Sequence, residues 1–331
     1  MNTRAPELTL VTGGGFVGLN VLEHLLDRGD RVISLGPPPP QTALERFAHL
    51  SGQLRVLDVD VCDGSGVWQA FAKERPSQVV HAAAITAGES REKHQAQHIV
   101  NTNVQGSVNV LEAARHHGVK RMVYLSSAAV YGAHSACDPW LYEATTYPAP
   151  ESLYAITKFA AERIALRYRT IAELDVVVAR LSAVFGRWEH DTGVRDTLSP
   201  PYWATRLAAA GRKARLPQAG WRDWIYGPDI GKGIAALLDT SPLAHSLYNL
   251  STGTTWSMSA WCDSLRTYFP AFSFQLETPG DARLNAGKRS PLAVSRLTAD
   301  TGFEPTYSME RALDDYLDWR TRYDIDNGSV S

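Results

Sequence analysis

The sequence predicts an α/β protein built on a doubly wound parallel sheet, followed by a smaller, irregular C-terminal part. Three observations carry this. Short apolar or β-branched runs alternate with helical periodicity through about the first 180 residues, as strands joined by crossover helices do. The first strand-to-helix turn reads Gly13-Gly14-Gly15-Phe16-Val17-Gly18, a G-x-G-x-x-G spacing. After about residue 186 the alternation breaks, and Pro, Trp and Arg become frequent.

The elements follow in order. Leu8-Thr9-Leu10-Val11-Thr12 is a short apolar strand. Residues 16–28 carry Val17, Val21 and Leu25 at helical spacing, and Gly29 stands where a helix commonly ends. Strands are expected at 31–35, 54–61 and 78–84. A helix follows at 104–117, then a strand at 121–125, a long helix at 153–172 and a strand at 175–181. In the second half, helices are expected at 203–211, 229–238, 256–269 and 308–319, with a strand at 247–250. Some of these elements, about 222–252, are expected to return to the main sheet. The run Pro37-Pro38-Pro39-Pro40, directly after a strand, reads as a stiff loop.

Bulk properties narrow the function classes. A chain of 331 residues can bury a large core. Its formal charge of -2, without a block of like charge, offers no field for nucleic acid. No apolar run is long enough for a membrane span, and the first seven residues carry no signal-peptide core. Cys62, Cys137 and Cys262 are scattered, and neither His81 nor His190 has a second ligand at metal spacing, so no metal site is expected. A cytoplasmic protein is the expectation. Six of the nine Trp (Trp188, Trp203, Trp221, Trp224, Trp256 and Trp261) lie in the second half, as a dense core or as an aromatic pocket wall.

The chemistry begins with Tyr154 and Lys158. Four residues apart on a helix, they share a face. A free phenol has a pKa of about 10, so roughly one in a thousand is ionised at neutral pH, and lowering that value by about three units takes on the order of 4 kcal/mol. A nearby ammonium is a source of that preference. Ser126 and Ser127 end an apolar run upstream. At the Gly-rich turn, glycines allow close approach of a pyrophosphate to the backbone, and the following helix presents free N–H groups. The second strand ends at Gly36 and the Pro run, without the carboxylate that a dinucleotide fold often uses for the ribose 2′-hydroxyl. No Arg stands there for a 2′-phosphate either. NAD is therefore expected, with NADP possible.

With these pieces in place, the chain from about residue 8 to about residue 320 resembles an extended short-chain dehydrogenase/reductase of the NAD-dependent epimerase/dehydratase kind. Carrying the resemblance are the Gly-rich turn, Asp60-Val61, His81-Ala82-Ala83-Ala84, Asn103, Ser126-Ser127-Ala128-Ala129-Val130-Tyr131-Gly132, Tyr154 to Lys158, and Arg222-Asp223-Trp224-Ile225-Tyr226. It implies a Rossmann-type NAD(P)-binding domain over 1–182 and a substrate-binding part over 183–331. Gly13, Gly15, Phe16, Val17 and Gly18 would form the pyrophosphate turn. Asp60 and Val61 would meet the adenine, and Ala82, Ala83 and Ala84 would line the cofactor. Asn103 would brace the strand ends. Ser127, Tyr154 and Lys158 would be catalytic: Tyr154 as acid/base, Lys158 on the nicotinamide ribose, and Ser127 donating a hydrogen bond to the reacting oxygen. Arg187 and Arg222 are expected to face substrate. Of the other second-half cations, Arg195, Arg206, Lys288 and Arg289, most are expected to be solvated. The resemblance also implies a homodimer in which helices 104–117 and 153–172 pack against their symmetry mates. Val108, Leu111, Ala160 and Ile164 would supply apolar surface, although that surface could equally face the chain's own sheet.

Three departures narrow the expectation. The turn is one residue shorter than the usual Thr-Gly-Gly-x-Gly-Phe pattern, which would shift the pyrophosphate. Sugar dehydratases of this kind carry Asp and Glu after the catalytic Ser/Thr, where this chain has Ala128 and Ala129. Ala cannot protonate a leaving hydroxyl. Nucleotide-sugar epimerases carry an Asn where this chain has Ala183, and the segment Gly186-Arg187-Trp188-Glu189-His190 is also unusual. The expected activity is hydride transfer at a secondary hydroxyl or ketone of a sugar, sugar acid or nucleotide sugar, as an epimerase or a dehydrogenase. The alternative from another class is a non-catalytic NAD(P)-binding redox sensor or scaffold.

Overall fold

The computed structural model describes residues 7–190 and 195–323. Its first half alternates strand and helix: β1 (Leu8–Thr12), α1 (Phe16–Asp27), β2 (Arg31–Leu35), α2 (Gln41–Phe47), β3 (Gln53–Leu57), α3 (Gly64–Glu74) and β4 (Gln78–His81). Next come α4 (Glu89–Val100), a π-helical turn (Asn101–Gln105), α5 (Gly106–His116), β5 (Arg121–Ser127), α6 (Leu153–Ile171) and β6 (Val176–Leu181). The second half comprises β7 (Ala183–Phe185), α7 (Pro200–Ala209), β8 (Ala214–Leu216), β9 (Trp221–Tyr226), α8 (Gly227–Asp239) and β10 (Leu247–Leu250). It closes with β11 (Thr255–Ser257), α9 (Met258–Tyr268), β12 (Phe274–Leu276), α10 (Ser295–Thr301) and α11 (Met309–Tyr323).

Seven strands form one parallel sheet in the order β10-β6-β5-β4-β1-β2-β3. Strand order reverses at β1, so the carboxyl ends of β1 and β4 open a crevice where such folds bind ligands. Central strands carry apolar runs because both faces are covered: Val176, Val177, Val178 and Ala179 of β6 are all fully buried. One face packs under α1 and α8 with Leu19, Leu22, Ile230 and Ile234. The other packs under α3, α5 and α6 with Phe71, Leu111, Ala161 and Ala165.

Two expected strands are shorter than their apolar runs. β3 stops at Leu57 because Asp60 Oδ1 accepts from Cys62 N at 2.9 Å, and Asp63 then caps α3 by accepting from Gly66 N at 3.0 Å. β4 stops at His81, leaving Ala82 to Ala84 at the crevice edge. The expected return of 222–252 to the main sheet holds for β10, which pairs with β6. It fails for β9, which pairs with β7 and β11 in a separate small sheet. Most of the Trp-rich second half is core: Trp188, Trp224 and Trp261 are buried, and Trp256 stacks between the latter two at 5.2 and 5.3 Å.

Candidate active site and cofactor cleft

Ser152 caps α6 by accepting from Ala155 N at 3.2 Å, which places Tyr154 in the first turn of the helix and Lys158 one turn on. Tyr154 and Lys158 then fall on one face and line the same cleft. Lys158 is 3 % exposed, with its Nζ 4.5 Å from the centre of the Tyr124 ring. Burial pushes its pKa down to about 7, although the Glu162 charge acts in the opposite direction. Ser127, the last residue of β5, also lines the cleft. Its Oγ accepts from Ala129 N at 3.1 Å, so its own proton remains available to a substrate oxygen. Behind it, Ser126 donates to Glu162, which forks with the buried Arg180 at 2.6 and 3.0 Å and thereby ties β5, β6 and α6 together.

Asn103 is a bracing residue by geometry. Its Oδ1 accepts from Ile85 N at 2.7 Å, and its Nδ2 donates to Ile85 O and to Thr157 Oγ1. It links the segment after β4 to α6, one residue from Lys158. His81 contacts Thr12 and Ser107, and burial drives its pKa down to about 3, so it is neutral. Among the described residues no group of three or more His, Cys, Asp or Glu could hold a metal.

The Gly-rich turn fits a dinucleotide. Gly13 has φ +83°, and a Cβ there would lie 2.7 Å from Ala83 Cα. A Cβ on Gly18 would lie 1.8 Å from Gly13 O, so α1 can leave the turn this closely only through glycine. At Gly15 a Cβ would meet nothing within 4 Å, which is the open side from which a pyrophosphate can approach the first N–H groups of α1. From this turn the cleft runs past Asp60, Val61, Ala82, Ala83 and Ala84 to Tyr154, then on to the second half, with a volume of about 1270 Å³. That exceeds the several hundred Å³ typical of a small-molecule pocket and suits a dinucleotide with a second molecule beside it.

The second half divides the expected substrate residues. Arg222 lines the cleft, and its Nε is buried without a hydrogen-bond partner. Burial first, and the neighbouring Arg289 second, push its pKa down to about 9. Arg289 also lines the cleft, and burial lowers its pKa too. Among the described residues no ion pair engages either. Arg187 corrects the expectation. It is absent from the cleft wall, forks onto Asp315 and lies 3.6 Å from Glu23, because Asp315 reaches it from α11. Arg195 lines the cleft beside Phe16, with its guanidinium 4.9 Å from that ring, whereas Lys288 is exposed. Asp223, next to Arg222, is structural. It accepts from Ser251, from Thr252 at 3.2 Å and from Leu292 N at 2.9 Å, while burial raises its pKa to about 6. Ser251 in turn bonds Ser182, which fixes the chain just before Ala183.

Sequence reasoning did not single out Asp58, Arg283 or Asn285 for the cleft, all of which line it. None sits in a local motif, and only the fold gathers them.

A family model described as the NAD dependent epimerase/dehydratase family matches residues 9–251. UDP-glucose 4-epimerase 2 of Oryza sativa subsp. japonica is 30% identical over 350 residues, covering 96% of this chain and 78% of the relative. dTDP-L-rhamnose 4-epimerase of Burkholderia thailandensis is 25% identical, covering 94% of each. Among solved structures, the Bordetella bronchiseptica enzyme WbmG in complex with NAD and UDP superposes with a TM-score of 0.77 at 25% identity, covering 98% of this chain and 97% of that one.

Proposed function

Because the chain belongs to the NAD dependent epimerase/dehydratase family, it is an NAD-dependent enzyme, and we propose that it epimerises a nucleoside-diphosphate sugar, with Tyr154 as acid/base. NAD, when bound, supplies an acceptor that takes a hydride from a ring carbinol and can return it. The residues of the chain account for the rest.

Tyr154 takes the hydroxyl proton as the carbon is oxidised and gives it back on reduction. Lys158, on the same helix face, favours the phenolate when charged. The Ser127 hydroxyl, held by Ala129 N, donates to the reacting oxygen and keeps it in place. Ala128 is fully buried and Ala129 offers only a methyl to the cleft, so neither can protonate a leaving hydroxyl. This favours epimerisation over elimination of water.

The observation that carries the substrate class is the pair Arg222 and Arg289, two cations that no carboxylate among the described residues ion-pairs, in the cleft that holds Tyr154. A diphosphate would neutralise both, and Arg forks suit its oxygens. Relatives named for UDP- and dTDP-sugars agree with this class despite Ala183. Calorimetric titration with UDP tests it. Arg222→Ala and Arg289→Ala should each weaken UDP binding by about tenfold or more, with affinity falling as salt rises. Unchanged UDP affinity in both variants would reject a diphosphate at this place. We further propose that the enzyme is a homodimer through α5 and α6.

A further inference from the structure

The sequence leaves the end of β2 without a carboxylate for the adenosine ribose, and the structure supplies a reason. Gly36 has φ +137°, and a Cβ there would stand 3.5 Å from Gly13 N. β2 thus leaves the sheet against the Gly-rich turn in a conformation that an aspartate adopts only under strain. Pro37 continues the close contact, since its carbonyl oxygen would lie 3.0 Å from a Cβ on Gly14.

The adjacent strand ends differently. β2 and β3 pair with Leu35 opposite Leu57, and Gly36 N donates to Leu57 O at 3.0 Å. Asp58 is therefore held beside Gly36, and it lines the cleft together with Pro37, Pro38 and Pro40. Its side chain is exposed, and among the described residues no hydrogen bond or ion pair engages it. Asp60, the other carboxylate at this end, is already occupied by Cys62 N. The cleft's arginines and lysine come from α6 and from the second half, never from the ends of β1, β2 or β3.

We propose that Asp58 selects NAD over NADP, accepting hydrogen bonds from the hydroxyls of the adenosine ribose and repelling a 2′-phosphate. An ionised carboxylate has only acceptors, which a vicinal diol satisfies, while a phosphate beside it adds like charge that no cation of the described strand ends offsets. The inference rests on the cofactor lying along the Gly13 to Gly18 turn. It does not depend on the identity of the sugar.

Titrating the protein with NADH and NADPH, followed by the fluorescence of the reduced nicotinamide, needs no turnover. Wild type should bind NADH about a hundredfold more tightly than NADPH. Asp58→Ala should weaken NADH by about tenfold and leave NADPH no weaker, so that the preference collapses. Asp58→Asn, which keeps a carbonyl acceptor and loses the charge, should retain part of the NADH affinity while losing discrimination. A preference for NADH that survives in both variants overturns the proposal, and so does a wild type that binds NADPH as well as NADH. Because Asp58 is exposed and unpartnered, both variants should melt with the wild type, and the binding ratio is read on folded protein.

Discussion

Lys158 is the residue on which the account of the proton depends. Its burial beside Tyr124, with a pKa lowered to about 7, means that the cofactor-free site holds its charge weakly at neutral pH. An unfolded chain keeps that proton up to the ordinary value of 10.5, so between about pH 7 and 10.5 the unfolded state binds more protons than the folded one. Stability contributed by this group therefore rises with pH across that window, and is lost as pH falls through about 7. Lys158→Met removes the titration. In parallel thermal melts of cofactor-free protein, wild type should gain on the variant by up to about 1.4 kcal/mol per pH unit over that window; parallel curves would show that the ammonium is not desolvated. Residues this close in sequence were legible beforehand, because Tyr154 and Lys158 need only one helix to bring them together. Arg187 was not legible in the same way. Its fate is set by Asp315, on a helix 128 positions away.

Elements with strong apolar periodicity were read nearly as they stand, as α1, α6 and β6 show. α4 was missed because only Ile99 of its 12 residues is buried, leaving a surface helix with no apolar stripe to find. β3 and β4 were read too long because Val59, Val61 and the alanines after His81 extend the apolar pattern past the last sheet pairing, where side-chain turns take over. The same limit applies to the proposed dimer helices. Leu111 faces the chain's own core, so it cannot serve a symmetry mate. Val108, Ala160 and Ile164 are partly exposed on α5 and α6, and Ile156 is 46 % exposed on the latter. Multi-angle light scattering on the purified protein should give twice the chain mass of 36.4 kDa. Replacing Ile156 and Ile164 together with charged residues should shift it to monomer. A monomeric wild type would remove these helices as an interface.

The sheet and the second half each supply what the other lacks. The sheet brings the Gly-rich turn and the Ser127, Tyr154 and Lys158 set to one crevice, with Asn103 bracing the segment after β4 against α6 behind it. β9 and the segment before α10 add Arg222 and Arg289. No helix among the described residues is long and apolar enough to cross a membrane. The fold class was legible from alternation and the turn alone, while the pairing of Arg222 with Arg289 needed the fold, since 67 positions separate them. The most direct test is to incubate the NAD-loaded protein with a panel of UDP- and dTDP-sugars, following ring configuration by NMR and reduced cofactor by absorbance. One sugar should interconvert with its epimer without net accumulation of reduced cofactor, and Tyr154→Phe should slow this by about a hundredfold or more while still binding NAD. Reduced cofactor rising in step with product, or a Tyr154→Phe variant that turns over at the wild-type rate, would contradict it.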